Sequence, residues 1–86
     1  MPLSDDEIEQ LAEANPKALL ADGFEGAYVG IARRCGQPAL ASYDYGRGVE
    51  ILMQRDGLSH EDALEHMEFN VVGAWLGPHT PIWIVR

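Results

Sequence analysis

Residues 44–76 read DYGRGVEILMQRDGLSHEDALEHMEFNVVGAWL. Apolar residues recur there at the three- and four-residue spacing of amphipathic helices: Tyr45, Val49, Leu52 and Met53, then Leu64, Met67, Val71 and Trp75. The spacing predicts helices over 45–56 and 60–73. Gly57 is expected to stop the first helix in a left-handed conformation, and Ser59 to cap the second. The two adjoining helices would form an αα-hairpin over one face of a sheet.

The second predicted helix has a wide apolar surface. Three more residues extend its stripe: Phe69, Val72 and Leu76. We therefore expect this helix to be buried on most sides. Asn70 would then be a buried amide, which needs a hydrogen-bond partner, and we expect that partner in the loop 77–80. Trp75 and Trp83 are core candidates, although an exposed tryptophan would instead indicate an interface.

Three stretches have the composition of β-strands: AYVGIA over 27–32, ALASY over 39–43 and IWIV over 82–85. Gly30 indicates a bulge. The last stretch is almost wholly apolar, which favours the sheet interior, and we place it beside the strand that contains Tyr28. The predicted fold is α+β: a small two-layer domain with a three-stranded, mainly antiparallel sheet packed by the αα-hairpin, plus an acidic N-terminal helix.

The N-terminal helix is predicted over 5–14. Ser4 and Glu7 have the spacing of a capping box, and Asp44 is the expected cap of the later helix over 45–56. Leu3 and Ile8 have the spacing of a hydrophobic staple. The Asn15-Pro16 pair should end this helix and open a second short turn that runs to Gly23.

Length and charge limit the function classes. The 86 residues form one domain, 1–86, divided into an acidic helical segment 1–26 and a core 27–86. The net charge is −8, and residues 1–26 hold seven acidic residues and one lysine. Phosphate repels such a chain, so we expect no direct nucleic-acid binding. An acidic face is complementary in charge to a basic protein surface, so we expect it to bind such a surface.

The cysteine count and the hydropathy of the chain indicate the cellular compartment that we expect for this protein. Cys35 is the only cysteine, which excludes an intrachain disulfide and fits a reducing cytoplasm. We expect no signal peptide, since an acidic amino terminus lacks the basic region that precedes an apolar run. No apolar stretch reaches about 18 residues, so no membrane partner is expected.

No motif in the chain predicts catalysis, a metal or a cofactor. Arg33 and Arg34 would lower the pKa of a neighbouring thiol, but no protease-type signature surrounds Cys35. His60 and His66 are six residues apart, which places them on different faces of a helix. The GRG sequence at 46–48 lacks the third glycine of a dinucleotide loop.

Several short segments together resemble a family of small uncharacterised proteins encoded in bacteriophage and prophage genomes. They are LADGF (20–24) running into AYVGIARRCGQP (27–38), YD (43–44) with VEILM (49–53) and RDG (55–57), and EFNV (68–71) with GAW (73–75), Gly77 and TP (80–81). The likeness covers about residues 19–85. It implies a phage-related context in a bacterial cytoplasm and supplies no activity.

The sequence therefore favours a non-catalytic phage-type accessory protein that binds a host protein through an acidic face. A host protein that itself binds nucleic acid would be a suitable target. The expected binding residues are Asp5, Asp6, Glu9, Glu13, Arg33, Arg34, Tyr43, Asp44, Asn70 and His79. One alternative is a homodimer that binds a small molecule or nucleotide, with Arg33, Arg34 and Tyr43 holding the anion. Another is a small enzyme that uses Cys35 or the Tyr43-Asp44 pair.

Overall fold

The computed structural model describes residues 4–86, so the predicted contact of Leu3 with Ile8 lies outside it. The elements in chain order are α1 (Asp5–Ala14), a 3₁₀ turn (Glu25–Ala27), β1 (Tyr28–Ala32), β2 (Leu40–Asp44), α2 (Tyr45–Asp56), α3 (His60–His66), a π-helical segment (Met67–Val72) and β3 (Ile82–Ile84). Helices and a three-stranded sheet in one small chain confirm the α+β class.

The sheet has the order β1-β2-β3, and it is mixed. β1 and β2 pair antiparallel, whereas β3 pairs parallel to β2, with Trp83 opposite Tyr43. The expectation that the last strand lies beside the Tyr28 strand is therefore wrong, and so is a mainly antiparallel sheet. The two helices between β2 and β3 form a crossover, which returns the chain parallel to the strand it left. β3 lies at an edge of the sheet, not in its interior.

The bulge predicted at Gly30 is confirmed, because the β1–β2 register shifts between Tyr28 and Gly30. The Ser42 hydroxyl lies opposite and donates to the Gly30 carbonyl at 2.8 Å. This contact satisfies a carbonyl next to the irregular step of the strand pair.

α1 has its predicted bounds and its predicted capping box. The Glu7 amide donates to the Ser4 hydroxyl at 3.2 Å, and the Ser4 amide donates to the Glu7 carboxylate at 3.0 Å. The predicted turn at Asn15-Pro16 forms, but it does not continue as a helix to Gly23. The Asn15 side chain accepts from the Lys17 amide at 3.1 Å, which closes a single side-chain turn.

α2 also has its predicted bounds, and Gly57 ends it at φ 69° in the left-handed region that favours glycine. Asp44 occupies the N-cap position, but its side chain makes no capping hydrogen bond. Its carboxylate instead lies 3.6 Å from the Arg86 guanidinium. The predicted Asp44 cap is therefore wrong, since the C-terminal arginine takes the carboxylate away from the helix.

The third helix begins as predicted, with the Ser59 hydroxyl accepting from the Asp62 amide at 3.2 Å. The helical backbone continues through the π-helical segment to Val72. Ala63 and Met67 are fully buried, but the expectation of burial on most sides is wrong for the C-terminal half. Val71, four residues after Met67, still packs against the core, but the helical backbone ends at Val72, so Trp75 and Leu76 lie beyond the packed helix.

The core holds Tyr43, Leu52 and Met67 as its largest fully buried side chains. The Trp83 ring stacks on Tyr43 with centroids 5.2 Å apart, and it meets the Phe24 ring edge-on at 5.3 Å. Leu11 and Phe24 belong to the same buried cluster, so the acidic N-terminal segment shares this core.

Candidate functional site

An apolar patch lies at the C-terminal end of the third helix and in the loop after it. Phe69 is 76% exposed, Trp75 is 74% exposed and Leu76 is 69% exposed. Val72 and Leu20 are also exposed, and Leu20 shares a hollow with Leu76. We call these five residues the apolar patch. Four of them lie within the eight consecutive residues 69–76, and clustered exposed apolar side chains mark an interaction site more often than scattered single ones do.

The hollow beside the apolar patch has a volume of about 210 Å³. Its floor includes Phe24 and Trp83 of the aromatic core, and its walls include Val71, Ala74 and Leu76. The floor is fixed by the packed aromatic rings. The floor of the hollow is therefore a part of the packed core that reaches the surface.

Carboxylates border the apolar patch on two sides. Asp22 lines the hollow described above, and Asp62 and Glu65 line a second hollow of about 390 Å³ together with Phe69. Glu68 accepts a hydrogen bond from the Tyr45 hydroxyl at 2.9 Å. Burial and this hydrogen bond both raise the pKa of Tyr45. The polar border of the patch thus consists largely of carboxyl side chains.

Asn70 lies between the two hollows and lines both of them. It is exposed, and its amide lies 3.5 Å from the His66 ring, so the predicted buried contact with the loop 77–80 is wrong. The contact is made within the helix, to a residue four positions earlier, and not across to the loop. The structure places this predicted binding residue beside the apolar patch.

The buried amide of this protein is Asn15. Its amide donates to the Ala39 carbonyl at 2.8 Å and lies 3.0 Å from the His79 Nδ1 atom. The His79 carbonyl accepts from the Leu19 amide at 3.2 Å. His79, predicted as a binding residue, thus ties the loop after α1 to the loop before β3. Sequence reasoning missed Asn15 because an Asn-Pro pair indicates a helix cap first.

The predicted anion site of Arg33, Arg34 and Tyr43 is not brought together. Arg33 and Arg34 are exposed and follow β1, where Ala32 pairs with Leu40. Tyr43 pairs with Tyr28 at the opposite end of the same hairpin. It is fully buried, and its hydroxyl accepts from the Ala21 amide at 2.9 Å. Its pairing and burial make Tyr43 a core residue.

The groups considered for catalysis are also apart. Cys35 is exposed in a shallow hollow lined by residues 33–37, which include no histidine. Asp44, the other half of the Tyr43-Asp44 pair, faces Arg86. Within residues 4–86, no cluster of His, Cys, Asp and Glu side chains is suited to hold a metal ion.

The acidic residues predicted on α1 are exposed along that helix: Asp5, Asp6, Glu9 and Glu13. None of them lines either hollow at the apolar patch. The acidic border of the patch comes instead from the third helix and from Asp22. The described part of the chain thus has two acidic surfaces: α1 has one large exposed apolar side chain, Ile8, whereas the second surface adjoins the apolar patch.

No family model, no curated protein and no solved structure matches this chain. The resemblance to a phage-encoded family therefore stays a prediction, and the function has to be argued from the site. Within residues 4–86, no helix combines the length and the apolar character that crossing a bilayer requires.

Proposed function

We propose that this protein is a non-catalytic binding domain that recognises a basic protein surface through the apolar patch. The observation that carries the proposal is the exposure of Phe69, Trp75 and Leu76 within one short stretch of the chain, in which Leu76 lines one hollow and Phe69 lines another. Tryptophan is enriched among the residues that dominate binding energy, especially where it enters a desolvated contact. Covering these side chains would remove their apolar surface from water, which favours association.

The charge around the apolar patch supports a basic partner. Asp22 and Glu65 line the hollows at the apolar patch and Glu68 precedes Phe69 in the chain, so a second copy of this chain would bring like charges together. Lysine or arginine residues around an apolar centre on the partner would complement the border. Host proteins that bind nucleic acid have such surfaces, which agrees with the phage-type context that the sequence resembles.

The acidic residues of α1 have a different role in this proposal. They lie outside the contact and add to a net charge of −8, so they accelerate encounter with a basic partner through long-range attraction. Their contribution is screened by salt, because exposed charges interact weakly beyond about 8 Å at physiological ionic strength.

The direct test uses a synthetic helical peptide with leucines on one face and lysines on the other. A peptide with glutamate in place of lysine is its matched control. We expect the lysine peptide to bind and the glutamate peptide not to bind. Trp75→Ser should weaken binding at least about tenfold, since it removes a central apolar anchor. Val85→Ser is the control variant, because Val85 is also 74% exposed but follows β3, whereas Trp75 directly precedes Leu76 of the first hollow.

The measurement is calorimetric titration of the parent protein with both peptides, and of Trp75→Ser and Val85→Ser with the lysine peptide. Equal binding of both peptides, or equal loss in Trp75→Ser and Val85→Ser, would contradict the proposal. A mass of twice 9.5 kDa that returns to 9.5 kDa in Trp75→Ser would show that the patch is instead a homodimer interface.

Charge reversal separates the two acidic surfaces. Glu65→Lys with Glu68→Lys should reduce affinity for the lysine peptide at least about tenfold, because the reversed charges would lie directly opposite the lysines of the peptide. Glu9→Lys with Glu13→Lys should mainly slow association at low salt. Stopped-flow rates at two salt concentrations provide the measurement. If the α1 pair causes the larger loss of affinity at high salt, the contact lies on α1, as the sequence alone suggested.

A further inference from the structure

A separate pocket of about 240 Å³ lies at the end of the β1–β2 hairpin, away from the apolar patch. Its apolar wall is formed by Ala32, Pro38, Leu40, Pro78 and Ile82. The side chains of Leu40 and Ile82 lie on the same side of the sheet. Ile82 pairs with Ser42, and Leu40 lies two residues before Ser42 on β2, where side chains alternate between the two faces. This pocket shares no lining residue with the hollows at the apolar patch.

Two arginines, Arg33 and Arg34, form the polar side of this pocket together with Gln37. The chain has six lysine and arginine residues. Three of the arginines face a carboxylate within 4.0 Å: Arg47 with Glu50, Arg55 with Asp56 and Arg86 with Asp44. Within residues 4–86, neither Arg33 nor Arg34 has such a partner, and both line the pocket. They concentrate positive charge at one point of an otherwise acidic protein.

We propose that this pocket binds a small organic anion, an oxyanion on a short apolar or single-ring body. Guanidinium groups present paired donors that match a carboxylate or phosphate. The apolar wall requires an organic body, because an inorganic ion would leave it in contact with water. The volume is below the roughly 300–1,000 Å³ of sites for drug-sized ligands, so a dinucleotide is too large. Tyr43 takes no part, since it is buried at the other end of the hairpin.

The test is a titration of isotope-labelled protein followed by backbone amide shifts. Phenyl phosphate and benzoate combine the two features, while phenol and inorganic phosphate each have one of them. We expect both organic anions to shift the amides of Ala32, Leu40 and Ile82. Phenol and inorganic phosphate should bind at least about tenfold more weakly, because each lacks either the charge-assisted contacts or the apolar contact.

Paired variants complete the test. Arg33→Gln with Arg34→Gln should reduce affinity for phenyl phosphate at least about tenfold. Arg47→Gln, an exposed arginine on α2, should leave it unchanged. Equal binding of phenol, shifts spread over the whole sheet, or equal loss in Arg47→Gln would overturn the proposal. The outcome is independent of peptide binding at the apolar patch, because the two sites share no residue.

Discussion

The two tryptophans stand on either side of one loop and have opposite environments. Trp83 stacks on Tyr43 and meets Phe24 edge-on inside the core. Trp75 follows the π-helical segment and is mostly exposed. The difference shows that apolar composition alone does not determine burial. What determines it is whether an element lies opposite, and β2 lies opposite Trp83 whereas no element of the described chain covers Trp75.

The largest expected effect is a difference in the free energy of unfolding between variants of the two tryptophans. Trp83→Ala should lower the free energy of unfolding by about 3 kcal/mol, because it leaves a cavity beside Tyr43 and Phe24. Trp75→Ala should change it by less than about 0.5 kcal/mol, as exposed substitutions usually do. Urea denaturation followed by circular dichroism measures both. Equal losses would mean that Trp75 is a core residue and that the apolar patch is misassigned.

A second pair of variants tests how closely α2 approaches Trp83. A Cβ atom at Gly48 would lie 2.9 Å from the Trp83 ring and 3.0 Å from the Met67 methyl group, whereas one at Gly46 would meet nothing within 4 Å. We expect Gly48→Ala to destabilise the fold by about 1–3 kcal/mol through overpacking. Gly46→Ala should stabilise it by up to about 1 kcal/mol through helix propensity.

The same denaturation measurement compares the two glycine variants. If both stabilise the protein, the ring of Trp83 is free to move aside and the aromatic core is looser than its stacking indicates. If both destabilise it, the first turn of α2 has a requirement for glycine that steric contact does not explain.

Substitution of Tyr43, which stacks on Trp83, should give a smaller change in stability, and one that depends on pH. Tyr43→Phe removes the hydroxyl that accepts a hydrogen bond from the Ala21 amide, which should lower the free energy of unfolding by about 1 kcal/mol at neutral pH. Burial raises the pKa of Tyr43 above its usual 10.0. Because burial favours the neutral phenol in the folded state, the stability linked to this pKa shift is complete below pH 10 and is lost as pH rises through the folded pKa. The Ala21 hydrogen bond acts in the opposite direction, since it lowers the pKa of Tyr43.

Alkaline denaturation should therefore be less steep in Tyr43→Phe than in the parent protein above pH 10. The pKa values of Tyr28 and Tyr45 are also raised by burial, so part of the dependence remains. Tyr45→Phe is the matched control, since Tyr45 donates to Glu68 at the surface. An unchanged pH dependence in Tyr43→Phe would show that the phenol ionises without cost inside the fold.

Local signals in the sequence predicted much of the fold. The bounds of α1 and α2, the Ser4 and Ser59 caps, the stop at Gly57 and the bulge at Gly30 all depend on neighbouring residues, and the structure confirms each of them. The position of β3 depends on long-range pairing, which no local pattern contains. Asp44 shows the same limit, because its carboxylate is taken by Arg86 from the far end of the chain.

The candidate site was less predictable than the fold. The apolar spacing predicts a packed face that runs through Trp75, but the helical backbone ends at Val72 and Trp75 lies in the loop beyond it. Phe69 is exposed because it lies two residues from Met67, on the opposite side of the helix. Asn70 was singled out for burial, yet its exposure places it at the patch. The buried position belongs to Asn15, whose partners Ala39 and His79 are distant in the sequence.

Acrylamide quenching of single-tryptophan variants tests most directly whether the apolar patch is a binding surface. In Trp83→Phe only Trp75 fluoresces, and we predict strong quenching that falls when the leucine–lysine peptide is added. In Trp75→Phe only Trp83 fluoresces, and we predict weak quenching that the peptide does not change. Equal quenching of the two variants, or protection of Trp83 in place of Trp75, would contradict the account.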